Sequence, residues 1–170
     1  MSTFTVDTDR QIQVVDVTDR VAAALPDDAT GAATVFVRHT TAGVAVNEAE
    51  ARLLGDVEAF LGDVVADGGW DHDRLDGNAD AHLRALVVGA SETVPVTDGS
   101  PDLGTWQSVL LVECDGPRTR TVEVRARPPN PRRAAAEVDE PSYPKGLSTY
   151  VGSIVTRGPT PPPRKCDTST

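Results

Sequence analysis

The sequence predicts an α+β domain of mostly antiparallel strands with inserted helices, followed by a proline-rich tail. Short β-branched and apolar runs, such as Thr-Val-Phe-Val at 34–37, are separated by Gly- and Pro-containing turns. Two stretches between those runs carry apolar residues at helical spacing. Nine of the 13 prolines fall after position 126. At 170 residues the chain fits one domain and a tail, divided here as 1–126 and 127–170.

Residues 3–15 alternate loosely (Phe4, Val6, Ile12, Val14) around an Asp7–Arg10 turn, as a short hairpin or two edge strands would. Residues 18–25 form a short helix that Thr18 can cap and Pro26 ends. A strand follows at 32–38, then a Thr-Thr-Ala-Gly bend and a second strand at 44–46. Between 50 and 66, Leu53, Leu54, Val57, Phe60, Leu61, Val64 and Val65 mark an amphipathic helix. A loop rich in Gly and Asp spans 68–78. The helical pattern returns at 80–90, with Leu83, Leu86 and Val87 as its apolar stripe. Strands are expected at 92–96, 108–112 and 119–125. The tail can bury little apolar area and reads as a disordered or loosely draped, solvated segment. A short strand at 149–155 and a role as a Pro-rich partner ligand are the alternatives there.

The chain carries 26 acidic and 16 basic residues, a net charge of −10. Residues 1–125 hold 22 of the acids and only nine of the bases, and the only lysines are Lys145 and Lys165. An acidic body that keeps Arg and nearly abandons Lys suits a high-salt interior, where carboxylate repulsion is screened within about 3 Å at molar salt. It also argues against nucleic acid, because phosphate binding needs a basic patch. With only Cys114 and Cys166, neither a disulfide framework nor a cysteine zinc site is expected. No apolar run approaches the roughly 18 residues of a membrane span, and residues 1–11 lack the basic-then-apolar order of a signal peptide. The expectation is a soluble cytoplasmic protein with no membrane partner.

Three histidines lie near element ends in polar surroundings: His39 after a strand, His72 in the loop, His82 early in the following helix. Converging, they could hold a divalent metal with an open position, bind a phosphate, or pass a proton. No HxH or HExxH spacing supports the first of these, and each histidine alone could be a structural or surface residue. Among the many carboxylates, Glu48, Asp76 and Asp98 stand out because each sits in a short polar cluster: Asn47–Glu48, Asp76–Gly77–Asn78 and Thr97–Asp98–Gly99. Turn chemistry explains such clusters equally well. Trp106 and Gln107 lie at the entrance to a strand, as core or as the wall of a pocket. No P-loop, dinucleotide turn or nucleophile elbow occurs.

The stretches RHTTAGVAVNE at 38–48, WDHDRLDGNADAHL at 70–83 and SETVPVTDGSPDLGTWQSV at 91–109 resemble the YjbQ-like family, also called the secondary thiamine-phosphate synthase family. The resemblance covers nearly all of 1–125. It implies a curved, mostly antiparallel sheet or sandwich with two to three helices, and a homotrimer. It further implies that His39, His72, His82 and Glu48 act in catalysis, the three histidines holding a divalent metal cation. Thr40, Asn47, Asp76, Asn78, Thr97, Asp98, Gly99, Trp106 and Gln107 would bind a small phosphorylated substrate. The implied activity joins a pyrimidine diphosphate to a thiazole phosphate and releases pyrophosphate. Amides at Asp98–Gly99 would then face the leaving oxygens, and Trp106 the pyrimidine. A metal-assisted phosphoester hydrolase and a non-catalytic trimeric binder of metal or a small anion are the rival readings. The chain departs from the pattern at Ala51 and Arg52, where the resemblance would place an Asp followed by a Pro.

Overall fold

The computed structural model describes residues 1–128. The tail from 129 onward, and with it the strand at 149–155 and the reading of the tail as disordered, lies outside the described residues.

Among the described residues, eight strands form two antiparallel sheets. The larger has the order β1 (Ser2–Asp7), β8 (Thr119–Arg127), β3 (Gly31–Val37), β5 (Ser91–Thr97), β6 (Ser100–Pro101). The smaller has the order β2 (Gln13–Asp16), β7 (Ser108–Glu113), β4 (Ala42–Asn47). Their facing sides enclose the main core, including Val6, Val35, Val37, Val44, Leu111, Val122 and Val124, with Val17, Val21 and Leu25 of the α1 region (α1, Thr18–Ala23). The opposite face of the smaller sheet carries α2 (Ala51–Val64) and α3 (Ala79–Val88) over a second core of Val14, Leu61, Ala81, Ala85, Leu110 and Val112. β7 is therefore covered on both faces, which is why Val109–Val112 is an unbroken apolar run and not an alternating one.

The expectation of a curved antiparallel α+β architecture holds, with local corrections. Of the two readings of residues 3–15, the edge strands hold and the hairpin does not: β1 pairs with β8 and β2 with β7, each at the edge of a different sheet. Thr18 is the first residue of α1, not its cap; the Asp16 carboxylate accepts its N–H and its hydroxyl. β6 was not expected. It is a two-residue return from β5 through Asp98–Gly99, both at positive φ as a tight hairpin turn requires. α2 begins where the Glu50 side chain accepts the N–H groups of Arg52 and Leu53.

The apolar stripe of α3 faces the wrong way for a core helix. Leu86 and Val87 are exposed, at 78% and 60%, while the small Ala79, Ala81 and Ala85 turn inward. Small side chains let the helix approach β4 closely, and Gly43 completes that approach. A Cβ there would lie 2.5 Å from Val88 Cγ1 and 2.6 Å from the Gly89 carbonyl oxygen. The inward face also buries Arg84 completely. Its guanidinium donates to the Leu61 and Val65 carbonyls at the end of α2 and to the carboxylates of Asp80 and Asp67. This cross-link fixes α3 against α2, and so fixes where His82 stands.

Candidate functional site

His39 leaves β3 where that strand separates from β8. Arg38 still donates its N–H to the Thr121 carbonyl, at 3.2 Å. The Thr121 N–H, however, donates to His39 Nε2 at 3.0 Å. The imidazole thus takes the acceptor role a strand carbonyl would fill. Beneath it lies a buried ion pair. Arg120 donates through Nε to Glu113 Oε2 at 2.6 Å and through Nη2 to Glu113 Oε1 and, at 2.9 Å, to the Thr41 hydroxyl oxygen. Glu113 also accepts the Thr8 hydroxyl and the N–H groups of Cys114 and Asp115, so its charge is fully partnered. Burial, and next the positive Arg120, lower the His39 pKa below the ordinary imidazole value; Glu113 opposes them. Burial pushes the neighbouring Cys114 thiol up to about 12, which removes it as a nucleophile.

His82, in the first turns of α3, lines the same groove as His39. The groove has a volume of about 510 Å³ and is walled by Phe36, Arg38, Thr40, Ala85 and Leu86. His72 reaches His82 from the loop: the ring centroids are 5.1 Å apart, edge to face. The carboxylate of Asp73 holds this arrangement. It accepts the Trp70 N–H at 3.0 Å and the Ala79 N–H at 3.1 Å, tying the short 3₁₀ turn Asp71–Arg74 to the start of α3. Asp76 lies 3.9 Å from His72 Nε2. Asn78 donates to Asp115 at 3.1 Å, and its buried Oδ1 has no partner among the described residues.

The other expected site residues stand elsewhere. Glu48, Trp106 and Gln107 line a separate shallow pocket of about 330 Å³ with Glu50 and Ser108. Trp106 is 73% exposed, which excludes the core reading. Gln107 accepts the Gly104 N–H and Asn47 accepts the Glu48 N–H, so both amide oxygens serve local turns. Thr97, Asp98 and Gly99 make the β5–β6 turn. The Gly99 N–H is spent on the Ala29 carbonyl at 2.9 Å, and so is not free for a leaving oxygen. Ala51, where the resemblance would place Asp, is the exposed first residue of α2.

Among the described residues, no three His, Cys, Asp or Glu side chains are gathered to hold a metal ion. The reason at His39 is specific: a main-chain N–H occupies the Nε2 lone pair that a metal would need. In this geometry His39 does not offer Nε2 to an ion shared with His72 and His82. Sequence reasoning found all three histidines. It missed Asp73, Glu113, Arg120 and Arg84, because in so acidic a chain no local pattern marks which carboxylates are buried. The buried arginines carry the only available signal, as the few cations next to apolar runs.

Fold and site together define a two-sheet α+β protein with a histidine-lined groove between a strand end and a helix. The YjbQ-like UPF0047 family model matches residues 2–127, and the chain belongs to that family. A UPF0047 protein of Methanothermobacter thermautotrophicus is 46% identical over 120 residues, covering 69% of this chain and 84% of the relative. One from Archaeoglobus fulgidus is 45% identical over 124 residues, covering 72% and 98%. Among solved structures, a hypothetical protein from Aeropyrum pernix K1 superposes with a TM-score of 0.71 at 46% identity, covering 74% of this chain and 96% of that one. A YbjQ-like protein from Sulfolobus solfataricus P2, described as of unknown function, gives 0.67 at 37% identity, covering 72% and 91%. The names of these relatives give a family designation or call the protein hypothetical, and none states an activity. None supports the joining of a pyrimidine diphosphate to a thiazole phosphate, and that expectation is withdrawn. No helix among the described residues is long and apolar enough to cross a membrane.

Proposed function

We propose that the groove binds a small phosphorylated compound with an apolar body and performs acid–base chemistry on it. One observation carries this reading: His39, from the end of β3, and His82, from α3, line a single groove of about 510 Å³ whose other walls are largely apolar. In this reading Arg38 at the rim and the histidine N–H groups meet the phosphate oxygens, while Phe36, Ala85 and Leu86 cover the body. His82, touching His72 and open to the groove, exchanges the proton. The groove supplies no lysine and only one arginine, so selection for the apolar body matters as much as the charge.

Calorimetric titration of the full chain at high KCl tests this, with phenyl phosphate and inorganic phosphate as probes. Phenyl phosphate is expected to bind at least about tenfold more tightly, the effect of some 1.4 kcal/mol from burying the ring. His39→Ala and His82→Ala should each remove that binding. Equal affinities for the two probes, or binding that survives both substitutions, would refute the reading.

The exposed Val87 of α3, outside the groove lining, supports a second element of the proposal, self-association as the homotrimer that the family resemblance implies. Light scattering coupled to size exclusion reads the mass directly. A monomer at micromolar concentration would overturn it.

A further inference from the structure

We infer that Arg120 is a positioning residue: through Thr41 and Thr121 it fixes the His39 ring as the Nδ1–H tautomer, a hydrogen-bond donor to an acceptor atom of the ligand and not a metal ligand. The argument follows the protons. The Thr121 N–H points at Nε2 from 3.0 Å, so Nε2 must present a lone pair. An uncharged imidazole that accepts at Nε2 carries its hydrogen on Nδ1. Nδ1 is then the one ring nitrogen left to deal with a ligand in the groove that His39 lines. It can donate to a phosphoryl or carbonyl oxygen; it has no lone pair for a cation.

This state depends on the backbone on either side of the ring being held. Arg120, next to Thr121 in β8, grips the Thr41 carbonyl and hydroxyl oxygens, at 3.3 and 2.9 Å, two residues beyond His39. Cys114 donates its N–H to the same Thr41 carbonyl at 3.1 Å. Glu113 holds the guanidinium from the opposite side, and both charged groups are nearly or fully buried, so the clamp has no water to exchange with. Strand and bend are thereby tied at Arg38–Thr121, His39–Thr121 and Thr41–Arg120. Three of the four residues from Arg38 to Thr41 are thus held against two consecutive residues of β8. The positive Arg120 also disfavours protonation of the ring, which keeps the Nε2 lone pair in place. The inference deepens the groove reading and rests on it only for what the donor meets.

Long-range proton–nitrogen correlation of the histidine rings in the full-length protein at pH 7.5 tests the tautomer. His39 should show a protonated Nδ1 and a bare Nε2; an Nε2–H ring or a doubly protonated ring would overturn the inference. Added zinc chloride should leave the His39 ring signals unmoved, and zinc-dependent displacement of them would equally overturn it. Arg120→Lys keeps the charge but loses the fork, and should give His39 a second set of ring signals from the Nε2–H form. If that variant does not fold, Thr41→Val removes only the 2.9 Å contact and should do the same in a folded protein. A single unchanged Nδ1–H ring in the folded variant would remove Arg120 from the positioning role. Because these readouts need no ligand, they separate from the groove reading: an Nδ1–H ring with no phenyl phosphate binding would sink that reading alone.

Discussion

His39 and Trp106 were expected in one site, yet the fold supports them very differently. His39 is bonded to a strand N–H and rests on a buried Arg120–Glu113 pair. Trp106 stands 73% exposed in the loop before β7, and its neighbour Gln107 spends its amide oxygen on the same loop. Precise chemistry needs groups held by rigid elements and by a second layer of bonds. The His39 side has both, whereas the Trp106 side has a tight turn and an open surface. The difference supports the proposal that the groove, and not the Trp106 side, holds the ligand.

The largest test of that contrast removes the support under His39. Glu113→Ala leaves the buried Arg120 guanidinium without its carboxylate and the Asp115 N–H without its acceptor, and should cost about 3–5 kcal/mol in denaturant unfolding. Gly43→Ala drives a Cβ into Val88 and the Gly89 carbonyl oxygen. It should cost about 1–3 kcal/mol by the same measurement and shift α3, with His82, away from β4. Asp73→Ala frees the Trp70 N–H ahead of the 3₁₀ turn and the Ala79 N–H at the start of α3, and should cost about 0.5–2 kcal/mol. The His72–His82 ring contact, followed by nuclear Overhauser effects, should weaken with it.

A pH profile sharpens the comparison. Folding holds the His39 pKa below its ordinary value of 6.5, so below 6.5 the unfolded chain binds more protons. The stability from this group is therefore complete above 6.5 and is lost as pH falls through the folded value. His39→Gln, whose amide oxygen can still accept the Thr121 N–H, should flatten the fall of the unfolding free energy as pH drops below 6.5, relative to wild type. The smallest effect belongs to the other region: Trp106→Ala should change stability by no more than about 0.5 kcal/mol, as expected of an exposed side chain. A large loss there would mean that the loop before β7 carries structure the buried network does not.

Much of this was legible in the residues. The histidines, the unbroken run that becomes β7, and the α2 periodicity are local signals. The pairing of β1 with β8, 112 or more positions away, is not, because an edge strand's partner depends on the whole sheet. The inward face of α3 was misleading for another reason. Hydrophobic patterning scores Leu86 and Val87 above Ala81 and Ala85, while close approach to Gly43 selects the smaller side chains. The candidate site was divided for the same lack of distance information. The polar clusters at 47–48, 97–99 and 106–107 follow turn chemistry, and only the structure separates them from the histidines.

The most direct test of the groove is a chemical-shift map with phenyl phosphate titrated into the full chain at high KCl, observing the histidine rings and the Trp106 indole together. The account predicts saturable shifts at His39 and His82, with the Trp106 indole unmoved. Shifts at the Trp106 indole with the His39 and His82 rings unmoved would contradict it.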